Sequence, residues 1–393
     1  RERKHKMTKQ HKKYMKIALD LAAKGNPSPN PYVGCVVVKD KKILCKGYHT
    51  KCGKAHAEVE AINHFISGAK IEKLQNQKKK KKTSIKKIKI NKALRKDQLR
   101  GSTIYITLEP CTHYGRTPPC VDKIIDVKPK EVVIAMLDPN KRICGRGVKK
   151  LREAGINVII GILEEEAKKL NKTYVQYVTT GKPFVFMKSA MTMNWKITWG
   201  DGRNKQITGD KSNEFVHELR NKVDAILVGI NTIMRDNPQL TTRLEGKETK
   251  NPIRVILDSK LKIPLSSNVL RDNNVIIITG KQNRISSKKK NYLRSKGIKV
   301  FVFKEERISI KKAIWVLGKL GISSVLIEGG ARINTSALKA EIVDEIFFLV
   351  APFIVNDKNS LGVFSNNAGN LHFKKISINK LGKDFIVNAV PRY

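Results

Sequence analysis

Two successive series of short apolar strands that alternate with helices limit the folds open to this chain. The first series opens with an amphipathic helix, KYMKIALDLAAK, continues with the strands VGCVVVKD and KILCKGY, and ends near Gly161. The second series begins at Pro183 and contains seven apolar stretches, from FVFMKSAM to DEIFFLVAPFIV. Alternation of this kind predicts an α/β fold in which helices cover a sheet, and it predicts a three-layer arrangement for the first series.

The break between the two series predicts the domain limits. A chain of 393 residues suits two or three domains. We predict a first domain over residues 7–161, a connecting helix or linker over 162–182 and a second domain over 183–393. A low-complexity, lysine-rich insert interrupts the first domain at about residues 70–100, and its charge predicts a solvated loop.

The expected cellular location is inferred from the absence of membrane and signal segments in the sequence. No run approaches the roughly 18 apolar residues of a membrane helix, and no apolar signal segment follows the basic start. Six cysteines without such a signal favour free thiols or metal ligands over a disulfide framework. We therefore expect a soluble, cytoplasmic protein with no membrane partner, and we expect it to form a homo-oligomer.

The net charge of +45 comes from 79 Lys and Arg residues against 34 Asp and Glu residues. A balance of this sign is typical of proteins that bind nucleic acid. Here, however, the lysines are spread along the whole chain together with many Ile and Asn residues, as expected for compositional drift at tolerant surface positions. We predict incidental binding of polyanions but no specific nucleic-acid partner.

Four residues in two motifs have the chemistry of a catalytic zinc site. His56 and Glu58 lie in AHAEVEA, and Cys111 and Cys120 lie in PCTHYGRTPPC with eight residues between them. Two thiolates and an imidazole form a three-ligand zinc site with one position left for water, whose pKa zinc lowers. The carboxylate of Glu58 would then move protons without binding the metal.

The predicted helices and strands decide whether this site can assemble. Residues two apart do not share a helix face, so the pair of His56 and Glu58 requires His56 at the start of its helix. Strand STIYITLEP would deliver Cys111 from its end, and Cys120 would open the next helix, whose N-terminus favours a thiolate.

Two purely structural interpretations compete with a catalytic zinc site. A single HxE motif on a helix is a weak signal, because a buried histidine satisfied by hydrogen bonds is more common. A structural zinc site made of Cys45, His49, Cys52 and His56 is the second alternative. It is disfavoured because Cys45 lies within a predicted strand.

At this point the motifs resemble a known family. HAEVEA with TLEPCTHYGRTPPC is similar to the zinc-dependent cytidine-deaminase-like fold. Within that fold, the long spacing, SPNPYVGCVVV, GYH and DPNKRICGRGVKKLREAGINV resemble the deaminase half of the bifunctional riboflavin-biosynthesis deaminase–reductases. The resemblance implies that His56, Cys111 and Cys120 hold zinc, that Glu58 is the proton donor and that Asn30 contacts the base.

The same resemblance implies a small-molecule substrate. This substrate is a diaminopyrimidinone that carries a ribosylamine phosphate, and its ring amine is exchanged for oxygen. The long gap between the cysteines then has a use, because residues 115–117 offer a charge and hydrogen-bond donors to the substrate.

The second series resembles the reductase half of the same family, which has a dihydrofolate-reductase-like fold. The matching stretches include KSAM, HELRNKVDAILVGINTIMRDNPQLTTR and VLIEGGARINTSAL. The implied reaction opens the ribose by hydride transfer from NADPH. The implied NADPH contacts are Ala190, Gln206, Thr232, Asp236, Ser259, Gly330, Ala331, Arg332, Ile333, Asn334, Thr335 and Ser336. The implied substrate contacts are Asn204, Arg220, Leu240, Arg243 and Glu328, with the two arginines as partners for the phosphate.

The second half departs from the family pattern at two places. The family commonly has a Leu-Asp-Gly turn where this chain has Met193, Asn194 and Trp195, and a tryptophan is costly where positive φ is needed. Gln206 stands where the family commonly has an aromatic cofactor contact. One alternative is therefore a deaminase with an inactive reductase-like domain. A polynucleotide deaminase is a further alternative, but it would have a shorter PCxxC motif and more exposed aromatic residues.

Overall fold

The structure, a computed structural model, describes residues 2–68, 92–114, 118–201, 206–246, 248–281, 284–365 and 369–393. It divides into two compact units, Arg1–Thr179 and Thr180–Tyr393. Among the described helices, none is both long and apolar enough to cross a membrane.

The described part of the first unit contains five strands and seven helices. The strands are β1 (Gly34–Lys39), β2 (Lys42–Tyr48), β3 (Thr103–Leu108), β4 (Glu131–Met136) and β5 (Asn157–Ile160). The helices are α1 (Glu2–Ala22), α2 (Ala57–Ser67), α3 (Lys92–Leu99), α4 (Cys120–Asp126), α5 (Arg146–Glu153), α6 (Glu164–Leu170) and α7 (Lys172–Thr180). The strands form a sheet in the order β2-β1-β3-β4-β5, in which β1 is antiparallel to both neighbours and β3, β4 and β5 are parallel.

Two glycines show that helices cover both faces of this sheet. A Cβ atom added at Gly34 would lie 2.0 Å from the carbonyl oxygen of Ala18 in α1. A Cβ atom added at Gly47 would lie 2.6 Å from the carbonyl oxygen of Ala57 in α2. Gly47 is paired with Cys35, the neighbour of Gly34, so the two glycines face opposite sides of the sheet. The expected three-layer α/β arrangement is confirmed.

The segment predicted as a connecting helix or linker forms two helices, α6 and α7, and most of it belongs to the first unit. The helices are separated at Asn171, whose side chain is fully buried. Its Oδ1 accepts a hydrogen bond from the backbone N–H of Tyr32 at 2.7 Å, and its Nδ2 donates to the carbonyl oxygen of Tyr32 at 3.0 Å. The interruption therefore anchors this segment to the loop before β1 at Tyr32.

The lysine-rich insert is only partly within the described residues, because residues 69–91 lie outside them. Where the sequence predicts a solvated loop up to about residue 100, the structure has helix α3. The side chain of Leu99 is fully buried in the core of the first unit, and Arg95 Nη1 donates to the carbonyl oxygen of Phe65 at 3.1 Å. The end of the predicted loop is therefore part of the folded unit.

The described part of the second unit contains nine strands and five α-helices. The strands are β6 (Phe184–Thr192), β7 (Ala225–Gly229), β8 (Ile253–Leu257), β9 (Val275–Thr279), β10 (Lys299–Val302), β11 (Ser324–Ile327), β12 (Glu345–Ala351), β13 (His372–Leu381) and β14 (Asp384–Arg392). The helices are α8 (Asp210–Lys222), α9 (Ile230–Asp236), α10 (Arg284–Ser295), α11 (Ile310–Lys319) and α12 (Ala331–Lys339).

The nine strands form one sheet in the order β10-β9-β8-β7-β11-β6-β12-β14-β13. The first seven strands in this order are parallel, and β14 and β13 are added as an antiparallel hairpin. Alternate residues of β6 pack into different core clusters: Phe184 and Phe186 with residues of α8, and Val185 and Met187 with residues of α11 and α12. This alternation is the signature of a sheet that is covered on both faces.

The β13–β14 hairpin is not predicted from the sequence. Its turn is formed by Gly382, at a φ of 67°, and Lys383. Most of β13 is exposed on both faces, with Ile376 54% and Ile378 65% exposed. Apolar and polar residues alternate only over residues 376–379, and lysines lie on both sides of this stretch, so the pattern of a half-buried strand is short in this sequence.

Candidate active sites

The first candidate site joins His56, Glu58, Cys111 and Cys120 from three parts of the first unit. His56 is the N-cap of α2, with extended backbone angles, so the requirement that it stand at the helix start is met. Cys111 comes three residues after the end of β3, and Cys120 is the first residue of α4, as expected. The local folding of each motif therefore follows the sequence prediction.

The three expected metal ligands lie close together. His56 Nδ1 is 3.0 Å from Cys120 Sγ and 3.7 Å from Cys111 Sγ. All three ligand atoms lie within 4.8 Å of one another, and the backbone N–H of Cys120 donates to Cys111 Sγ at 3.4 Å. Ligands of a tetrahedral zinc ion lie about 3.5–4 Å apart, so the set fits zinc in both spacing and chemistry.

The short distances between the three candidate ligands shift their pKa values. A hydrogen bond from the Cys120 thiol lowers the pKa of the Cys111 thiol, and the same bond together with burial raises the pKa of Cys120. A hydrogen bond with Cys111 raises the pKa of the His56 imidazole. One thiolate is therefore already favoured at neutral pH within this cluster.

Glu58 follows His56 by two residues and lies on the wall of the same cavity. It is buried at 3% exposure, and burial raises its pKa to about 7. Among the described atoms, its Oε2 has no hydrogen-bond partner. A buried carboxylate oxygen without a partner is unfavourable unless a ligand or substrate satisfies it.

His56, Glu58 and Cys111 line a cavity of about 510 Å³ in the first unit. Asn30 lies on its wall, as the resemblance implies, whereas residues 115–117 lie outside the described residues. The sequence gives no role in the catalytic site to several other wall residues. His49 is predicted only as part of the GYH match and of the alternative structural zinc site, and no role is predicted for Lys54, His113, Asp138, Asn140 and Tyr174. The only available signal for Asp138 and Asn140 is the DPN stretch that was matched to the family.

The alternative structural zinc site is not supported among the described residues. Cys45 is buried within β2, and Cys52 is exposed. His49 forms hydrogen-bond contacts through both ring nitrogens, at 3.0 Å with the carbonyl oxygen of Ala55 and at 3.2 Å with Asn30 Nδ2. Burial lowers the pKa of His49, which favours its neutral form.

The side chain of Glu109 joins the loop that carries Cys111 to the loop that follows β4. Its buried carboxylate accepts hydrogen bonds from the backbone N–H groups of Asp138, Gly145, Gly147 and Val148 at 2.9–3.2 Å. These bonds connect the end of β3 with the start of α5 and with the loop between β4 and α5. The sequence motif TLEPC contains this residue but gives no indication of its role.

The second candidate site lies at the carboxyl edge of the parallel strands in the second unit. Helix α9 follows directly after β7, Ser259 follows β8, and Gly330 is the N-cap of α12 after β11. Because β8, β7 and β11 are adjacent and parallel, their carboxyl ends share one edge. Ala190 is level with this edge, since Met187 of β6 pairs with Ile327 at the end of β11. Most of the implied NADPH contacts are therefore brought together.

The α12 residues differ in what their side chains contact. Asn334 Nδ2 donates to Ser189 Oγ at 3.0 Å, and Thr335 Oγ1 accepts from the backbone N–H of Ser365 at 2.9 Å. Ile333 packs so closely that a Cβ atom at Gly329 would lie 2.5 Å from it. The side chains of these three residues therefore contact the protein itself, and the backbone N–H groups of Ile333 and Asn334 donate to the carbonyl oxygen of Gly330 at 3.0 and 3.1 Å.

Arg220 and Glu328 form an ion pair with each other. Arg220 Nε and Nη2 donate to the two carboxylate oxygens of Glu328 at 2.8 and 2.9 Å, and Lys188 Nζ lies 2.8 Å from Glu328 Oε2. Burial by itself raises the pKa of the Glu328 carboxyl, but Arg220 and Lys188 outweigh it and hold that pKa well below its usual range. Lys188 is a member of this cluster that sequence reasoning missed.

The other residues that the resemblance assigns to the reductase site differ in exposure and in their partners. Leu240 is buried at a φ of 55°, and Arg243 is exposed, with its Nη1 3.0 Å from Thr241 Oγ1. Gln206 Nε2 donates to the carbonyl oxygen of Thr208 at 2.7 Å. Asn204 lies outside the described residues.

The departure from the family at Met193–Trp195 has a definite conformation. Trp195 itself takes the positive φ of 65°, where the family commonly has glycine. Asn194 is occupied elsewhere: its Oδ1 accepts from Thr192 Oγ1 at 2.6 Å, and its Nδ2 donates to the carbonyl oxygen of Val355 at 2.9 Å. The Trp195 ring packs edge-on against Phe348 at a centroid distance of 5.7 Å, which offsets part of the strain.

Two family models match the chain. The model of the cytidine and deoxycytidylate deaminase zinc-binding region matches residues 8–136, and the model of the RibD C-terminal domain matches residues 183–387. Among curated relatives, the riboflavin biosynthesis protein RibD of Aquifex aeolicus is 40% identical over 96% of this chain and 97% of its own length. RibD of Escherichia coli is 30% identical over 86% of this chain and 87% of its own length.

Solved structures give the same result. RibD of Acinetobacter baumannii superposes with a TM-score of 0.82 at 30% identity and covers 98% of this chain and 100% of its own. A diaminohydroxyphosphoribosylaminopyrimidine deaminase/5-amino-6-(5-phosphoribosylamino)uracil reductase of Thermotoga maritima superposes with a TM-score of 0.78 at 35% identity, with coverage of 98% and 100%.

Proposed function

The chain belongs to the RibD family and is a bifunctional deaminase and reductase of riboflavin biosynthesis; from this premise we propose the chemistry of its two sites. The first unit deaminates a diaminopyrimidinone that carries a phosphoribosylamino group, and it uses one zinc ion per chain. The second unit then reduces the ribosyl side chain to a ribityl chain with NADPH. The same small phosphorylated pyrimidine passes from the first reaction to the second.

The observation that carries the deaminase proposal is the cluster of His56, Cys111 and Cys120 beside Glu58. The three ligand atoms lie within 4.8 Å of one another, and His56, Glu58 and Cys111 line a cavity large enough for a nucleotide-sized ring system. A zinc ion held there would supply the Lewis acidity that makes water a nucleophile at neutral pH.

Glu58 provides the proton transfers of the deamination. Its carboxylate takes a proton from the attacking water, whose oxygen bonds to the ring carbon that carries the amine. It then delivers a proton to the amine nitrogen, so that the carbon–nitrogen bond breaks and ammonia leaves. The buried, unpartnered Oε2 of Glu58 supports this role, because the substrate amine gives it the hydrogen-bond partner that the protein does not.

The reductase proposal is supported by the residues at the carboxyl edge of the second sheet. We assign NADPH to this edge, with its phosphates at the start of α12 around Gly330 and with further contacts from Thr232, Asp236 and Ser259. We assign the substrate phosphate to Arg243, and this assignment is supported by its exposure and by the absence of a carboxylate partner among the described residues. Arg220 acts on the substrate through Glu328, which it holds in place.

The uncovered hairpin β13–β14 supports a homo-oligomer. β13 is an edge strand of ten residues, and the apolar side chains of Ile376 and Ile378 are exposed on one of its faces. Exposed edge strands of this length pair readily with another chain. We propose that a second copy of this chain covers β13, and sedimentation of wild type against Ile378→Lys tests this: wild type should sediment as an oligomer and the variant as a smaller species.

Release of ammonia with and without NADPH tests the two reactions together. The zinc-loaded protein should release ammonia from the diaminopyrimidinone in either case, and NADPH should be oxidised only after ammonia has been formed. Ammonia release without any NADPH oxidation would show that the protein is a deaminase whose second unit is inactive as a reductase. If the protein releases no ammonia although it holds zinc, the deaminase proposal is wrong.

A further inference from the structure

His49 is a buried side chain on the cavity wall, next to the candidate zinc ligands. It is only 2% exposed, and its ring lies 5.3 Å from that of His56 between centroids. It follows the end of β2 directly, and its backbone N–H donates to the carbonyl oxygen of Val33 at 2.9 Å. The ring position is therefore fixed by backbone hydrogen bonds as well as by packing.

The two ring nitrogens of His49 have different partners. Nδ1 lies 3.0 Å from the carbonyl oxygen of Ala55, and Nε2 lies 3.2 Å from Asn30 Nδ2. A carbonyl oxygen can only accept, so Nδ1 must carry the hydrogen. Nε2 of the neutral ring is then an acceptor, and the opposite tautomer would place two lone pairs against each other at Ala55.

This tautomer of His49 determines which end of the Asn30 side-chain amide, Nδ2 or Oδ1, faces the imidazole. An acceptor at His49 Nε2 requires the NH₂ group of Asn30, so Oδ1 of Asn30 is the end left for the cavity that Asn30 lines. Within the described residues, no group donates a hydrogen bond to that oxygen. The backbone of Asn30 has little freedom to adjust, because its N–H donates to the carbonyl oxygen of Pro27 at 2.9 Å.

We propose that His49 is a positioning residue that turns the Asn30 amide so that Oδ1 accepts a hydrogen bond from an N–H group of the pyrimidine. This inference rests on the proposed deaminase function and specifies how the substrate is selected. The diaminopyrimidinone presents amine and ring N–H donors along its edge, which an acceptor recognises. A ring with a carbonyl at the same place would bring its oxygen against Asn30 Oδ1. Two acceptors cannot form a hydrogen bond, so such a ring would bind less well.

The tautomer can be measured without any activity. Long-range ¹H–¹⁵N correlation spectra of the zinc-loaded full chain, labelled at histidine, distinguish Nδ1–H from Nε2–H rings. The His49 signals are identified by their loss in His49→Phe. We expect the Nδ1–H form in wild type and also in Asn30→Ala, because Ala55 sets it. An Nε2–H form in wild type would turn Asn30 the other way and overturn the proposal.

Two substitutions of His49 separate hydrogen bonding from packing. His49→Phe keeps a ring but loses both bonds, and we expect KM for the diaminopyrimidinone to rise about 10-fold with a smaller change in kcat. His49→Gln has an amide that can donate to Ala55 and accept from Asn30, and it should recover most of the loss. Zinc content should equal that of wild type in both variants.

The outcomes of the two measurements remain distinct. An equal loss of activity in both variants, or loss of zinc from His49→Phe, would mean that His49 only packs and would overturn the proposal. If wild type releases no ammonia, the proposed function fails, whereas the spectra still decide whether His49 turns Asn30.

Discussion

At the scale of single residues, the first site depends on the separation of metal binding from proton transfer. His56 and Glu58 are two residues apart, yet His56 is the N-cap and Glu58 lies in the first turn of α2. The extended backbone of the cap lets the imidazole reach the two sulfur atoms, while the carboxylate remains buried beside them. A helix that began one turn earlier would place the two side chains on different faces.

Glu58→Gln should therefore keep zinc and lose ammonia release. We expect a loss of about 10²–10⁴-fold in kcat, because an amide cannot carry protons between water and amine. Metal analysis and ammonia assays of the purified variant measure the two effects. Glu60→Gln, two residues further along α2 and partly exposed, is the matched control and should retain activity. Loss of zinc from Glu58→Gln would show that Glu58 is needed to hold the metal.

In the second unit, the Glu328 carboxylate predicts a pH dependence of stability. Its pKa is lowered in the folded state by Arg220 and Lys188, so it stabilises the fold fully above its unfolded pKa of about 4.3. That contribution should be lost as the pH falls from there through the lower folded pKa. Denaturant unfolding at a series of acidic pH values should show this loss in wild type.

The matched variant is Glu328→Gln, which cannot ionise. It should be less stable than wild type at neutral pH by about 3–5 kcal/mol, because it leaves two cations that are only 13% exposed without their carboxylate. It should also lack the part of the acid dependence that comes from this group. Identical acid dependence in the two proteins would contradict the assignment of the ion pair.

At the scale of helices and strands, the sequence predicts those elements whose own residues show a period, and it misses those fixed by distant partners. The apolar strands that precede each site are predicted, since buried parallel strands are continuous apolar runs. The break at Asn171 depends on a hydrogen-bond pair with Tyr32, far away in sequence, so no local pattern marks it. The hairpin β13–β14 is missed because its exposed residues carry no core pattern.

The candidate sites show the same limit. The zinc ligands and Glu58 are found from motifs because their spacing is tied to chemistry. His49, Lys188 and Glu109 lie in motifs that match the family, but their partners are found only in the structure, because each partner is many residues away. A motif search has no means to connect such pairs.

Helix α3 gives a prediction about the lysine-rich insert. Deleting residues 78–91 should leave both activities near wild type and reduce retention on a polyanion column, since the net charge falls. Leu99→Ala should instead destabilise the first unit by about 2–5 kcal/mol, because this side chain is fully buried. Leu94→Ala in the same helix is the control, as Leu94 is 61% exposed. A collapse of ammonia release in the deletion would mean that the insert belongs to the site.

At the scale of the whole molecule, the two units have separate cores and separate candidate sites. The apolar clusters of the first unit end with residues of α7, and those of the second begin with β6. Each described metal ligand lies in the first unit, and each described residue assigned to NADPH lies in the second. The two activities are therefore expected to be separable.

A fragment from Gly181 to Tyr393 should fold and bind NADPH without zinc. It contains the whole nine-stranded sheet and its core clusters. Calorimetry with NADPH, in the presence of a chelator, measures this directly. A fragment that folds, as judged by cooperative unfolding, but does not bind NADPH would contradict the reductase assignment and leave the second unit without a cofactor.

The order of the two reactions is the central claim, and NADPH oxidation by the full-length Glu58→Gln variant tests it most directly. Supplied with the deaminated pyrimidine, this variant should oxidise NADPH at the wild-type rate, because its second site is intact. Supplied with the diaminopyrimidinone, it should oxidise almost none, because the first reaction is blocked. Rapid NADPH oxidation with the diaminopyrimidinone, or none with the deaminated compound, would contradict the account.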